Sequence, residues 1–502
     1  MGATLTTRLS TGIDGLDEVM LGGLLTGQSC MVRGLPGAGK TTLALQFLVE
    51  GVRRGEPVLF VTLSESEEEL RANAATHGFD LAGIEFLDIH PAVEGFLPDN
   101  QYTIFHPADV ELAPVSRRIT EAIARLKPTR VAFDSLTEFR LLSRDPLRYR
   151  RHLLALKGYL LQHRVTTLFL GESARQELDV EVASIVQGVI ALNLYKSPNG
   201  LTRRSVEVEK NRGSGFREGE HALRIVRGGL VVYPRLIALD HSQEFIRALL
   251  PGGIPGLDRM LFGGLDRGTS TLVTGNAGVG KTTLGVHFLV QAARAGERCA
   301  LYTFDEGPAE IIHRCESIGL MVKDLIARDL LVIRKVNPVL LYPDEFVAWV
   351  RDEVEAQGTR VVMIDSLNGY RQSMPDESYL IGHMHQLIGY TNRMGVTSLL
   401  LNEVSNLTGD FAATQLGLSY LADAVMFLKY YEYGGALHKA IGTLKKRLGN
   451  HEKTLRHFDI RPEGIHVGDP LPRLRGILRG EAEVDEMRLV ETQQPGRGRL
   501  DE

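Results

Sequence analysis

Gly34-Leu35-Pro36-Gly37-Ala38-Gly39-Lys40-Thr41 returns 241 positions later as Gly275-Asn276-Ala277-Gly278-Val279-Gly280-Lys281-Thr282. Both octets fit G-x-x-x-x-G-K-[ST]. Glycines let the backbone wrap so that its N–H groups converge on phosphate oxygens. A helix that follows adds the positive end of its dipole. The first octet follows the short apolar strand Ser29–Arg33. It opens a helix over Lys40–Arg53, with Leu43, Phe47, Leu48 and Val52 on one face. The residues expected to hold a nucleotide are Gly34, Gly37, Ala38, Gly39, Lys40, Thr41 and Thr42. Their counterparts are Gly275, Gly278, Val279, Gly280, Lys281, Thr282 and Thr283. Lys40 and Lys281 reach the β- and γ-phosphates, and Thr41 and Thr282 supply hydroxyls to Mg²⁺.

The echo extends well beyond the octets. GIDGLD at 12–17 recurs as GIPGLD at 253–258, and GGLLTG at 22–27 as GGLDRG at 263–268. Further on, Asp134 and Asp365 are only 231 positions apart, so the second copy is ten residues shorter in between. A period this long marks a duplicated domain, not a solenoid repeat. Within each copy apolar strands alternate with helical stretches, as in Pro57–Leu63, Val131–Phe133 and Thr166–Leu170. The expected fold is α/β, with two mostly parallel sheets covered on both faces. The domains are 1–240 and 241–480, followed by a polar, Gly/Pro-marked flexible tail at 481–502.

A second oxygen ligand for Mg²⁺ belongs at the end of an apolar strand. Asp134 after Val131-Ala132-Phe133 and Asp365 after Val361-Val362-Met363-Ile364 fit, and Ser-Leu follows both. Hydrolysis also needs a carboxylate to orient water. Strand 59–63 leads into Ser64-Glu65, and strand 301–304 into Asp305-Glu306. Glu67, Glu68 and Glu69 have another explanation: Ser66-x-x-Glu69 is a capping box, and acids favour a helix start. Glu65 and Glu306 precede that start and are the base candidates, with Asp305 beside the second.

Composition narrows the class. The 502 residues carry 57 Lys+Arg against 62 Asp+Glu, a net charge of −5, with 43% hydrophobic residues. That is globular and argues against a nucleic-acid protein with a basic footprint. No apolar run reaches the ~18 residues of a membrane span, and MGATLTTRLSTG holds no apolar signal region. Met1-Gly2 with Thr6 fits a myristoylation pattern formally and reads as a chance match. Three cysteines, none in a CxxC pair, point to a reducing, cytoplasmic setting. The histidines show no zinc spacing, and Trp349 falls in the amphipathic stretch FVAWVRDEV.

With the GLD…GGL entry, both phosphate loops, the acidic pairs, the strand-Asp-Ser motifs and the run DAVMFLKYYE, the chain resembles the KaiC family over roughly residues 5 to 475. These are clock ATPases and autokinases of the RecA-like P-loop superfamily. The resemblance implies two stacked homo-hexameric rings, with Mg·ATP between neighbouring subunits. It also implies Lys-x-Arg pairs acting across the interface. Lys210-Asn211-Arg212 and Lys445-Lys446-Arg447 occupy that place. It further implies phosphorylation of an adjacent Ser-Thr pair in the second domain. Here that position holds Ser419-Tyr420, so Ser419 is the phosphosite candidate and two-step Ser/Thr cycling is excluded.

There are departures. Ser64 and Asp305 stand where the family carries glutamate. The tail does not match the segment that KaiA engages, so KaiA or KaiB binding is not carried over, and a signalling partner stays unnamed. Three readings stand side by side: a hexameric ATPase with autokinase activity at Ser419, a nucleotide-switched signalling scaffold with little turnover, and a RecA- or DnaB-like DNA-acting motor. The third needs basic channel loops. The stretch NGYRQSMPDESYLIGH is mixed in charge, and Arg140–Arg151 is a basic segment that reads as a solvated helix face.

Overall fold

The structure is a computed structural model. It describes residues 7–89, 112–141, 146–172, 182–197, 199–404, 418–480 and 482–484. The chain divides into two compact units between Arg235 and Leu236.

Each unit is built on a nine-stranded sheet. In the first, the order is Gly229–Tyr233, Glu220–Val226, Thr202–Asn211, Gly188–Lys196, Ser29–Gly34, Thr166–Glu172, Arg130–Asp134, Val58–Thr62, Ile84–Asp88. The strands from Gly188–Lys196 to Ile84–Asp88 are parallel, and those beyond Gly188–Lys196 are antiparallel. The second sheet repeats this order, with Ser270–Gly275 at the place of Ser29–Gly34 and Val361–Asp365 at that of Arg130–Asp134. This is the tandem RecA-like α/β arrangement that the resemblance implied.

Strand composition explains the layering. In Val58–Thr62, Val58 and Phe60 join one buried cluster, while Leu59 and Val61 join another. Side chains alternate across a sheet, so an all-apolar strand fills a core on each face. The helix Lys40–Arg53 closes one face through Leu43, Ala44, Leu45, Phe47 and Leu48. Each of these leucines and Phe47 contributes about 1.5–3 kcal/mol on full burial. Ser66 and Glu69 form the expected capping box at the start of Glu67–Thr76. In the second unit Gly307 precedes Pro308–Ser317 without a side-chain cap, and Pro308 sits at the first turn.

Residues after the division belong to the second unit's core. Leu236 and Ala238 join a cluster with Leu387 and Ile388 of the helix Glu377–Arg393, against which Trp349 also packs. Beyond Gly480, Glu483–Val484 pairs with Leu474–Arg475. Residues 481 and 485–502 of the expected tail lie outside the described residues. Cys30, Cys299 and Cys315 are buried and unpaired, and burial pushes their thiols up to about 12, 12 and 11. Among the described residues no helix is long and apolar enough to cross a membrane.

Candidate functional site

The two octets occupy the carboxyl ends of the central strands Ser29–Gly34 and Ser270–Gly275, where open α/β sheets bind ligands. Gly39 and Gly280 cap the following helices in the left-handed region, at φ 109° and 115°. These angles favour glycine, and a Cβ there would also press on the Cδ1 atoms of Ile225 at 2.9 Å and Ile460 at 2.7 Å. Lys40 Nζ donates to the carbonyls of Gly34 at 2.9 Å and Leu35 at 3.2 Å. Lys281 Nζ donates to Gly275 at 3.0 Å and Asn276 at 2.8 Å. Burial holds the Lys281 ammonium below its ordinary pKa, against the attraction of Glu403 and Asp365.

Thr41 Oγ1 donates to Asp134 Oδ2 at 2.7 Å, and Thr282 Oγ1 to Asp365 Oδ2 at 2.6 Å. Burial pushes both carboxyls up to about 6, against the threonine hydrogen bonds. Among the described residues no cluster of three or more His, Cys, Asp or Glu would hold a metal alone. A hydroxyl beside a carboxylate is an oxygen-only donor pair. It suits a hard cation that keeps water and phosphate oxygens in its remaining positions, which is the habit of Mg²⁺. The residues present therefore fit the group.

The strand-end carboxylates are set by shared backbone contacts. Thr62 Oγ1 donates to the carbonyl of Glu65, and Thr303 Oγ1 to that of Glu306 at 3.0 Å. Their side chains meet different neighbours. Asn73 Nδ2 lies 3.5 Å from Glu65 Oε2, at the limit of a hydrogen bond. Arg314 Nη1 donates to Glu306 Oε1 at 2.7 Å. Asp305 Oδ2 accepts from Ser366 Oγ at 3.0 Å, so the shorter acid is tied to the residue after Asp365. Ser64, at the equivalent place, is exposed. Beside Glu65 lies a cavity of about 230 Å³ whose lining includes Thr41, Thr42, Asn73 and His77.

The Lys-x-Arg residues end the strands Thr202–Asn211 and Ala436–Lys446 or follow directly. Lys210 Nζ donates to the carbonyls of Ala183 and Val186, the latter at 2.7 Å, while Arg212 is exposed. Burial, with Arg212 nearby, lowers the Lys210 pKa. Lys445 Nζ donates to Ser419 O at 3.1 Å and Arg447 Nη2 to Tyr420 O at 2.7 Å. Lys446 is buried, bonded to the carbonyls of Leu261 and Gly264. Ser419 is half-buried in the turn Leu418–Tyr420, and Tyr420 is exposed. Both lysines thus satisfy carbonyls of their own chain.

Sequence reading passed over several residues of this region. Arg204 donates through Nε and Nη2 to Gly37 O, at 3.2 and 3.1 Å, holding the first loop from the strand Thr202–Asn211, two places away in the sheet. Glu172 and Glu403, again 231 positions apart, bear on Asp134 and Lys281 respectively. Arg314 and Asn73 align at the offset of 241, so the exchange was visible, but not the contact that it makes.

The family description ATPase: KaiC matches residues 9–237 and 250–471. The circadian clock protein KaiC3 of Synechocystis sp. is 28% identical over 487 residues, covering 94% of this chain and 94% of the relative. The circadian clock oscillator protein KaiC of Parathermosynechococcus lividus is 29% identical over 488 residues, covering 94% and 87%.

Proposed function

The chain belongs to the KaiC family of ATPases, and on that premise we propose that both units bind Mg·ATP and hydrolyse it at subunit interfaces of a double-ring hexamer. The observation that carries this reading is the pair of Thr–Asp hydrogen bonds, 2.7 and 2.6 Å, each beside a glycine-formed loop. Thr41 with Asp134, and Thr282 with Asp365, would hold Mg²⁺. The bound ion supplies charge neutralisation of the phosphates.

The residues' own work divides as follows. Loop N–H groups and Lys40 or Lys281 bind and orient the triphosphate. Glu65 or Glu306 positions a water in line with the γ-phosphorus. The water oxygen forms a bond to phosphorus, the bridging bond to ADP breaks, and the water proton passes to the glutamate. Arg212 and Arg447 offer charge to the neighbouring subunit's γ-phosphate. Positioning and charge stabilisation account for most phosphoryl-transfer catalysis.

Within the second unit, Ser419 is the proposed phosphate acceptor. The bonds from Lys445 and Arg447 to the carbonyls of Ser419 and Tyr420 favour this, since they tie the acceptor turn to the residues proposed to sense the neighbour's nucleotide.

The test is ATP incubation of the purified chain, with phosphate release quantified and intact mass followed. Release that falls in Glu65→Gln and Glu306→Gln, with a gain of about 80 Da at Ser419, supports the whole reading. Release without the gain retains the ATPase and removes the autokinase. ATP-driven assembly with neither turnover nor mass gain overturns the reading in favour of a nucleotide-switched scaffold.

A further inference from the structure

The two copies offer an internal comparison at one point of the catalytic region. Backbone around the base candidates is held alike, by Thr62 on Glu65 and Thr303 on Glu306. Helices Glu67–Thr76 and Pro308–Ser317 also correspond residue for residue at the offset of 241. Yet the residue facing each glutamate from its helix differs. It is Asn73, 3.5 Å from Glu65, in one copy, and Arg314, 2.7 Å from Glu306, in the other.

We propose that Arg314 is a positioning residue that fixes Glu306 for catalysis in the second site, a constraint that the first site lacks. The inference rests on the reading of Glu306 as the carboxylate that orients water.

Three features support it. A charge-assisted hydrogen bond at 2.7 Å restricts a carboxylate far more than an amide contact at 3.5 Å. The bond engages Oε1 alone. Oε2 is enclosed and has no hydrogen-bond partner among the described residues, so the Arg314 bond is the contact that sets the carboxylate's orientation. The Arg314 guanidinium also reaches the field of Asp365, linking the base candidate's holder to the proposed Mg²⁺ side of the site. Misplacing a catalytic group by about 1 Å can cost as much as 100-fold in rate.

The experiment uses the full chain carrying Glu65→Gln, so that second-site turnover alone is read. In that background Arg314→Asn, which installs the first copy's own residue, is expected to lower kcat about tenfold. KM for ATP should stay within about twofold, because Arg314 touches Glu306 and not the loop. Arg314→Lys, keeping a cation near Oε1, should recover most of the rate. Adding Arg314→Asn to Glu65→Gln/Glu306→Gln should change nothing further.

An Arg314→Asn chain with unaltered kcat, or one whose loss persists undiminished without Glu306, overturns the positioning role. A rise in KM at constant kcat does so too. Failure of the underlying reading looks different: Glu65→Gln/Glu306→Gln would then still hydrolyse ATP at the parent rate. Thermal midpoints of Arg314→Asn and Arg314→Lys, compared with the parent, separate unfolding from a catalytic effect.

Discussion

Arg130 should be among the most sensitive positions of the first unit, although it lies outside the nucleotide loop. Its side chain is fully buried. Nε and Nη2 donate to the two carboxylate oxygens of Glu56 at 2.6 and 3.1 Å. Nη1 donates to Ser10 O at 2.7 Å and Phe47 O at 2.9 Å, and the guanidinium carbon lies 4.7 Å from the Phe47 ring centroid. These bonds tie the base of the strand that ends in Asp134 to the helix that begins with Lys40 and Thr41.

Arg130→Met keeps the stem and removes the charge and four hydrogen bonds. Breaking a buried ion pair by deleting one partner costs about 3–5 kcal/mol. Glu56 retains 18% exposure and can recover water, which sets the expectation at the low end, about 3 kcal/mol. For a domain of this size that lowers Tm by about 6–12 °C. Glu56→Ala should cost more, because it strands a guanidinium with no solvent access. The assay is calorimetry of the intact chain, with hydrogen exchange assigning the lowered transition to first-unit peptides. A drop under about 2 °C, or Arg130→Met costing more than Glu56→Ala, refutes the desolvation argument. The second unit supplies a contrast: Val361 takes the place of Arg130, and Glu297, at the place of Glu56, pairs instead with Arg267 at 2.5 Å.

Three more outcomes follow from the site. Burial holds Asp134 and Asp365 at about 6, above the ordinary carboxylate value, so Mg²⁺ must displace protons as pH falls; calorimetric titration should show Mg²⁺-dependent ATP affinity intact at pH 7.5 and weakened about tenfold by pH 5, where each carboxyl is about nine-tenths protonated. Gly280→Ala puts a Cβ at φ 115°, 2.7 Å from Ile460, and should abolish binding of a fluorescent ATP analogue at the second site in a Lys40→Ala background. Thr282→Val removes the hydroxyl bonded to Asp365 and should weaken that binding at least tenfold with Mg²⁺ present, but less than twofold in excess chelator.

What could be read before the fold was known, and what could not, divides along a physical line. Local spacing determines helix starts and strand ends, so the capping box of Ser66 and Glu69 and the strand-terminal Asp134 were legible from neighbours a few residues away. So were the Thr–Asp partnerships, because a repeated motif anchors both ends. Arg130 was not. An arginine at the head of an apolar strand looks like a boundary residue until Glu56, Ser10 and Phe47 converge on it from three other segments. Nor was the partner of Asp305: Ser366, which donates to it, comes from a different strand end. Long flexible side chains such as Lys210 and Arg314 choose partners through tertiary placement, which spacing does not encode.

Binding of phosphate depends on backbone conformation: left-handed glycines, converging N–H groups and a helix terminus, nearly identical in both copies. Such features are fixed by the fold and leave little freedom for drift. Turnover depends on the side chains proposed to act at the γ-phosphate, and there the copies keep the glutamate and the Lys-x-Arg pair but differ beside them: Ser64 against an Asp305 bonded to Ser366, and Asn73 against Arg314. The expected result is similar ATP affinity and unequal chemistry. With Glu306→Gln reporting the first site and Glu65→Gln the second, dissociation constants should agree within about fivefold while kcat differs by more than tenfold, the second site being faster. Equal rates at the two sites would mean that the glutamate alone sets the barrier. The neighbours that distinguish Glu306 from Glu65 would then be structural.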